Sequence, residues 1–253
     1  MLKIWLVRDL EPLPTDPGNR RLMRAGMLAQ ALARRGHEVT WFTSSFDHYA
    51  KRQRAESDEI LLPEPRLTVR VFRGPGYRRN VSLARIRHNR DFARRWAQYA
   101  HASAERPDIL VTDIPTTEGA AAVIRFGIQN RIPTVLSIRD LWPDFFLDYI
   151  PAPLRPLGRP FVLPLERQVR FATAGATSLL GISDEYLLWG QRKGNRLPSE
   201  RDRVFPLGYD ARPVPDPSTV DAFRARLGIG DRTVVAFVGS WGRTYNLELV
   251  RDA

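Results

Sequence analysis

Gly239, Gly242 and Arg243 stand just beyond an apolar run, Val234 to Val238, and just before an amphipathic segment. A strand that delivers the chain to a glycine turn, followed by a helix whose first N–H groups are free, offers donors and a partial positive charge to a phosphate. Glycines in a plain strand-to-helix turn serve packing equally well, so the spacing alone is a weak signal. Near the other end, Gly18 lies in a loop, Pro12 to Arg20, that is longer than such a turn needs. Without a Cβ, the backbone there can approach a ligand or take positive φ. Asn19, Arg20 and Arg21 follow at the expected helix start, where an arginine fork either grips a phosphate or is solvated. Arg139 and Asp140 close the apolar run Thr134 to Ile138, and Asp113 closes the run Asp108 to Thr112. Ligands of open α/β sheets bind beyond the carboxyl ends of the strands, which puts these three on the relevant edge. Asp140 suits orienting a hydroxyl or taking a proton; the plainer reading is an Arg139–Asp140 pair that caps the loop carrying Trp142. Ser183, at the end of a further run, suits capping the next helix.

These residues need strands and helices to hold them. Leu2 to Val7, Glu38 to Thr43, Leu67 to Phe72, Asp108 to Thr112, Thr134 to Ile138, Thr177 to Ile182 and Val204 to Leu207 read as strands. Helical spacing is expected over Arg20 to Arg35, Leu83 to Glu105, Thr116 to Asn130, Leu154 to Ala172, Asp184 to Lys193 and Val220 to Leu227. Strands alternating with helices at these distances imply a doubly wound, Rossmann-like parallel α/β sheet with helices on both faces. Trp5 and Trp41 lie in apolar strands and read as core. Phe46 to Arg66 and Gly74 to Val81 are read as irregular, mobile loops. Pro213, Pro215 and Pro217 form a stiff linker, so the expected division is a first domain over 1–212 and a linker with a further strand–helix unit over 213–253.

Composition narrows the partners. The 253 residues carry a formal charge of +11, and the only lysines are Lys3, Lys51 and Lys193. The excess of bases suggests an anionic partner: a phosphorylated substrate, an anionic lipid surface or nucleic acid. Nucleic acid ranks last, because no helix-turn-helix, zinc module or RNP-like aromatic strand is present. The absence of cysteine excludes disulfides and thiolate metal sites, and His37, His48, His88 and His101 lack ligand spacing, so no metal is expected. No stretch approaches eighteen apolar residues, so no membrane span is expected. Pro153 to Arg170 combines an apolar stripe with four arginines, and Arg85, Arg87, Arg90, Arg94 and Arg95 make a second basic surface. Either can lie on an anionic membrane or simply be a helix face.

Four segments, in order, resemble the family 4 glycosyltransferases of the GT-B fold. Ile4 to Val7 with the Gly18 loop and Leu32-Ala33-Arg34-Arg35-Gly36-His37-Glu38-Val39 is similar to the family's first strand, acceptor loop and following turn. Arg139-Asp140-Leu141-Trp142-Pro143-Asp144 resembles the R-D-L-W-P-E segment of a WbuB-like subgroup. Phe205 to Asp210 stands where the family often has I-P-N-G-V-D, and Phe237 to Leu247 resembles the entry to its donor domain. The resemblance implies a retaining transferase moving a sugar from a nucleotide diphosphate sugar to a lipid-linked or polysaccharide acceptor. It implies no other cofactor, no metal and a cytoplasmic place, peripheral to the inner membrane face. It casts Gly18, Asn19, Arg20, Arg139 and Asp113 as acceptor-binding, Asp140 as positioning the acceptor, and Gly239, Gly242, Arg243 and Asn246 as holding the donor phosphates. Members often have Lys at the Asn246 position, which leaves Arg243 the charge there. The family's acidic E-x7-E motif would fall after Ala253, so the chain reads as an acceptor domain with the opening of a donor domain. The alternative is a non-catalytic module that binds acceptor or membrane.

Overall fold

The computed structural model describes residues 1–18, 20–148, 150–209, 213–238 and 248. The chain divides into two compact units, Met1–Tyr209 and Asp210–Ala253.

In the first unit, β1 (Lys3–Val7) is flanked by parallel neighbours on both sides, β2 (Glu38–Ser44) and β7 (Ile109–Ile114). Both faces of β1 are covered, which explains its unbroken apolar run. Ile4 and Leu6 pack with Ala25, Ala29 and Ala33 of α1 (Arg24–Arg34). Trp5 and Val7 point the other way, onto Phe92 and Trp96 of α2 (Leu83–Ala102) and Val123 of α3 (Thr117–Asn130). Trp5 and Trp41 are core residues, as expected. The sheet continues through β8 (Thr134–Ile138), β9 (Ser178–Gly181) and β10 (Arg203–Val204) on one side. On the other side lie β6 (Leu67–Phe72) and β5 (Glu59–Glu64), so the order is β10-β9-β8-β7-β1-β2-β6-β5. All neighbours are parallel except β5, which runs antiparallel at the edge. α5 (Arg155–Gly175) covers β8 and β9 beside α3, and α6 (Asp184–Gly194) follows. The fold is therefore the expected doubly wound α/β sheet. Chain order runs outward from β1 through β2 to β6 and outward again from β7 to β10. The switch point lies between β1 and β7, and ligands of such sheets bind beyond the strand ends at that point.

Several expectations are corrected. Phe46 to Arg66 is not an irregular loop: it holds a small hairpin, β3 (Phe46–Asp47) with β4 (Arg52–Gln53), and then β5. Phe46 is buried against Tyr77 and Leu10, and Asp47 accepts the N–H groups of Tyr49 and Ala50, so a polar segment is still tied down. Pro63 is compatible with β5 because an edge strand has a side that needs no donor. Gly74 to Val81 has no regular structure, yet it is pinned, with Tyr77 buried and bonded to His48. α1 starts at Arg24 rather than Arg20, because Arg20 turns aside to Asp47 at 2.6 Å. A short helix, α4 (Asp144–Asp148), follows β8 and has no counterpart among the expected elements.

In the second unit, α7 (Pro217–Arg226) is capped by Asp216, which accepts the Thr219 N–H at 3.0 Å. The expected buried strand Val234 to Val238 is not one: these residues are irregular, and Val235 and Val238 are 88% and 94% exposed. A parallel strand exists through its neighbours, and no strand among the described residues pairs with this run.

Candidate active site

The carboxyl ends of β1, β7 and β8 meet in one ionic cluster at the switch point. Leaving β1, the chain places Arg8, Asp9 and Glu11 within four residues. Glu11 is at the centre and 1% exposed. Its Oε1 accepts from Arg8 Nε at 3.2 Å and from Arg139 Nη1 at 2.5 Å, and its Oε2 accepts the Ala25 N–H at 2.8 Å. That last bond sets a carboxylate on the first turn of α1, where the helix dipole favours negative charge. Asp113 closes the ring, accepting from Arg8 at 2.8 Å through one oxygen and from Arg139 at 2.8 Å through the other. Arg8 also donates to the Pro115 carbonyl.

Arg24, the first residue of α1, borders this ring. It donates to the Phe205 carbonyl at 2.7 Å and lies 4.4 Å over the Phe205 ring, while its buried Nη1 has no partner among the described residues. Burial, and then the neighbouring Arg139, lower its pKa. Against the penalty of burial, Arg8 and Arg139 hold the Glu11 carboxyl below the usual range. Burial pushes Asp113 the other way, in spite of the same two arginines. Three guanidiniums facing two carboxylates suit a site that meets an anion.

A second polar group braces the cluster from behind. Asp9 Oδ1 accepts the N–H groups of Leu10 at 2.8 Å and Ser44 at 3.0 Å, and its Oδ2 faces His88 Nε2 at 2.9 Å. His88 is completely buried, and its Nδ1 accepts the Gly76 N–H at 3.2 Å. With Nδ1 accepting, the proton belongs on Nε2, from which it is donated to Asp9. Burial opposes the Asp9 charge, but His88 and the Ser44 hydrogen bonds keep its pKa low. This chain of contacts anchors the segment after β6 to the end of β1. Gly76 has φ +69°, and a Cβ there would lie 2.7 Å from the Phe46 ring. We expect Gly76→Ala to lower stability by about 2 kcal/mol in urea unfolding, as positive φ and a close contact combine. An unchanged midpoint would show that this segment does not bear on the fold.

Beside it, His48 Nδ1 lies 2.6 Å from the Tyr77 hydroxyl and 3.3 Å from Lys51 Nζ. Burial and then the cations of Lys51, Arg85 and Arg8 lower its pKa from 6.5 to about 4. Neutral His48 therefore accepts the Tyr77 O–H. The unfolded chain binds this proton more readily than the folded one, so stability is present above about pH 6.5 and is lost as pH falls towards 4. His48→Gln should flatten the urea midpoint across that window; an unaltered slope would assign the dependence elsewhere. Arg85 packs between Tyr77 and Trp142, 5.7 and 4.7 Å from the two ring centres.

Of the residues singled out from sequence, Arg139 and Asp113 enter the cluster. Asp140 adjoins it, accepting the Leu141 N–H at 3.2 Å. Arg139 pairs with Glu11 and Asp113 rather than with Asp140, so the expected Arg139–Asp140 cap is not formed. Gly18 has φ +86°, and apart from its chain neighbours no described residue lies within 4 Å of where a Cβ would be. Arg20 is held by Asp47. Ser183 precedes α6 but makes no side-chain cap bond. Asn19, Gly239, Gly242, Arg243 and Asn246 lie outside the described residues. Sequence reading missed Arg8, Asp9, Glu11, Arg24 and His88. A usable signal existed for the first two: an Arg-Asp pair follows β1 just as Arg139-Asp140 follows β8, and both strands flank β7.

Among solved structures, the chain is similar to Alr3699/HepE of Anabaena in complex with UDP, at 16% identity and TM-score 0.47, covering 90% of this chain and 50% of that one. It is similar in fold to UGT89C1 of Arabidopsis thaliana complexed with quercetin, at 13% identity and TM-score 0.50, covering 89% and 55%. MurG of Acinetobacter baumannii matches at 12% identity and TM-score 0.36, covering 83% and 47%. The chain thus spans about half the length of the solved structures it matches. No curated protein matches it. The family model described as Glycosyltransferase Family 4 matches residues 24–212, from the first turn of α1 past the end of the sheet, and the chain belongs to that family.

Proposed function

We propose that the protein transfers a sugar, with retention, from a nucleotide diphosphate sugar to a lipid-linked or glycan acceptor of cell-surface polysaccharide synthesis, within the WbuB-like subgroup. The observation that carries this reading is the Arg8–Glu11–Asp113–Arg139 cluster at the switch point of a family 4 domain. Residues 1–212 form the acceptor domain in this reading, with Gly18, Asn19, Arg20, Arg139 and Asp113 on the acceptor side and Asp140 orienting the accepting hydroxyl. Residues 213–253 open the donor domain, and Gly239, Gly242, Arg243 and Asn246 meet the donor diphosphate. Stabilising a departing nucleoside diphosphate is an electrostatic task for backbone N–H groups and a guanidinium, and it needs no metal and no further cofactor.

The acceptor is proposed to lie at a membrane surface on the cytoplasmic side. Supporting this, the first turns of α5 expose Leu157 at 70% and Phe161 at 85%, beside exposed Arg155 and Arg159. Apolar side chains next to arginines are what an anionic bilayer receives from a helix lying in its surface. No helix among the described residues is long and apolar enough to cross a membrane.

The test is transfer of labelled sugar from a panel of nucleotide sugars to polyprenyl diphosphate-linked acceptors, using the protein as isolated from its host. Product with a retained anomeric configuration is the expected result. Acceptor binding without turnover on any donor would assign the non-catalytic role instead.

A further inference from the structure

On its outer flank, α2 carries three arginines, Arg87, Arg90 and Arg94, at i, i+3 and i+7, which places them on one side of the helix. Between them and Pro75 is an open basin of about 290 Å³, which Asp91 also lines. Asp91 pairs with Arg94 at 2.8 Å. Arg87 and Arg90 form no direct ion pair among the described residues, so the basin keeps two guanidiniums about one turn apart that no carboxylate contacts. Behind Arg90 lies the buried Glu118, with which Arg90 interacts through space without a direct ion pair; burial raises the Glu118 pKa and Arg90 pulls it the other way. An adjoining basin of about 370 Å³ shares Arg94, and its other arginine, Arg95, is already neutralised by Asp58 at 2.6 and 2.8 Å. The two hollows are similar in size, and the one at Arg87 and Arg90 keeps its charge.

We propose that the Arg87–Arg90 basin binds a phosphate group, at a site separate from the switch-point cluster. Two forked, always charged donors match the several oxygens of a phosphate, and their two unpaired charges match a phosphomonoester dianion. The exposed Arg78 and Arg79, which follow Pro75 in the chain, add to the positive field over the same end of α2. The phosphate has two sources with the same chemistry, a soluble phosphate ester or a lipid headgroup. The inference does not rest on the transfer reaction and can be tested without it.

The experiment measures binding of inorganic phosphate by calorimetry, and of phosphatidylcholine vesicles with and without phosphatidic acid by co-sedimentation. The wild-type chain is compared with the double variant Arg87→Gln/Arg90→Gln and with the charge-matched control Arg192→Gln/Arg201→Gln. All four residues are exposed, so both variants should keep the wild-type unfolding midpoint. The α2 variant should weaken binding about tenfold or more, while the control changes it by less than about twofold. Phosphate binding that the α2 variant loses identifies a soluble ligand. Binding that appears only with phosphatidic acid, and that the α2 variant loses, identifies a lipid headgroup. The proposal is overturned if wild type binds neither probe, if the α2 variant binds as wild type does, or if both variants lose binding equally.

Discussion

Glu11→Ala should lower the unfolding free energy by about 3 kcal/mol, measured as a fall in the urea midpoint at constant slope. The size follows from what the substitution leaves behind. Arg8 and Arg139 are only 12% and 14% exposed, and each would lose its contact with Glu11 while remaining inside. Asp113 still meets both, which keeps the loss below that of a wholly unpaired buried charge. The Ala25 N–H, on the first turn of α1, would also lose its acceptor and its favourable charge. Glu11→Gln keeps the shape and one acceptor oxygen, so it should cost less than Ala. A loss below about 1 kcal/mol for the alanine variant would mean that water or Asp113 replaces the carboxylate, and the cluster would not be what holds β1, β7 and β8 in register at their ends.

The same residue has a pH consequence. Glu11 and Asp9 are held below their ordinary values in the folded state, so their contribution is present above the unfolded pKa and is lost as pH falls through the folded one. Asp113 and Asp140 are raised by burial, and they contribute in the opposite sense, losing stability as pH rises through their folded values. Neighbouring acids at these strand ends are thus shifted in opposite directions, Asp113 by a burial that its two arginines offset only in part.

How much of this was legible in the sequence differs by residue type. The strands β1, β6 and β8 were readable because burial on one or both faces imposes a pattern on every residue in them. Arg139, Asp113 and Asp140 were readable because each ends such a run, and the strand end is where ligands approach. Arg8 and Glu11 lie one and four residues beyond a run read just as clearly, yet an exposed polar turn has the same composition as a buried ionic one; only the strand order β8-β7-β1 shows that the ends meet. His88 was hidden for a different reason. It sits in a helix rich in arginine, and nothing local says that this position faces Asp9, 79 residues earlier. The polar stretch Phe46 to Arg66 misled because its order comes from side chains binding distant groups, as with Arg54 on Asp16 and on the Glu11 carbonyl. The apolar run Val234 to Val238 misled in the opposite sense. Its pattern states a preference for a buried sheet, and a strand forms only where neighbours supply one.

In the proposed reaction, Asp140→Ala should reduce kcat/KM for the acceptor by about 100-fold, and Asp140→Asn should restore most of that loss. Asp140 is half-buried at the end of β8, and Oδ1 accepts the Leu141 N–H. Its Oδ2 makes no hydrogen bond to the described residues, so it is available to a substrate hydroxyl. Burial raises its pKa, while Arg8, Arg85 and Arg139 pull the other way. A carboxylate held for positioning needs its shape and its bond to Leu141 more than its basicity. Asparagine supplies both, so the cost should appear in the acceptor KM, and the pH profile of kcat should keep its form. A general base fails differently: asparagine cannot take the proton, so both variants would lose about 100- to 10,000-fold in kcat, and the acidic limb of the profile would disappear. A retaining transfer in which the departing phosphate accepts the proton has no need of that base. Equal damage from Asn and Ala, together with a lost acidic limb, would therefore overturn the positioning role of Asp140 and also the account of where the acceptor's proton goes.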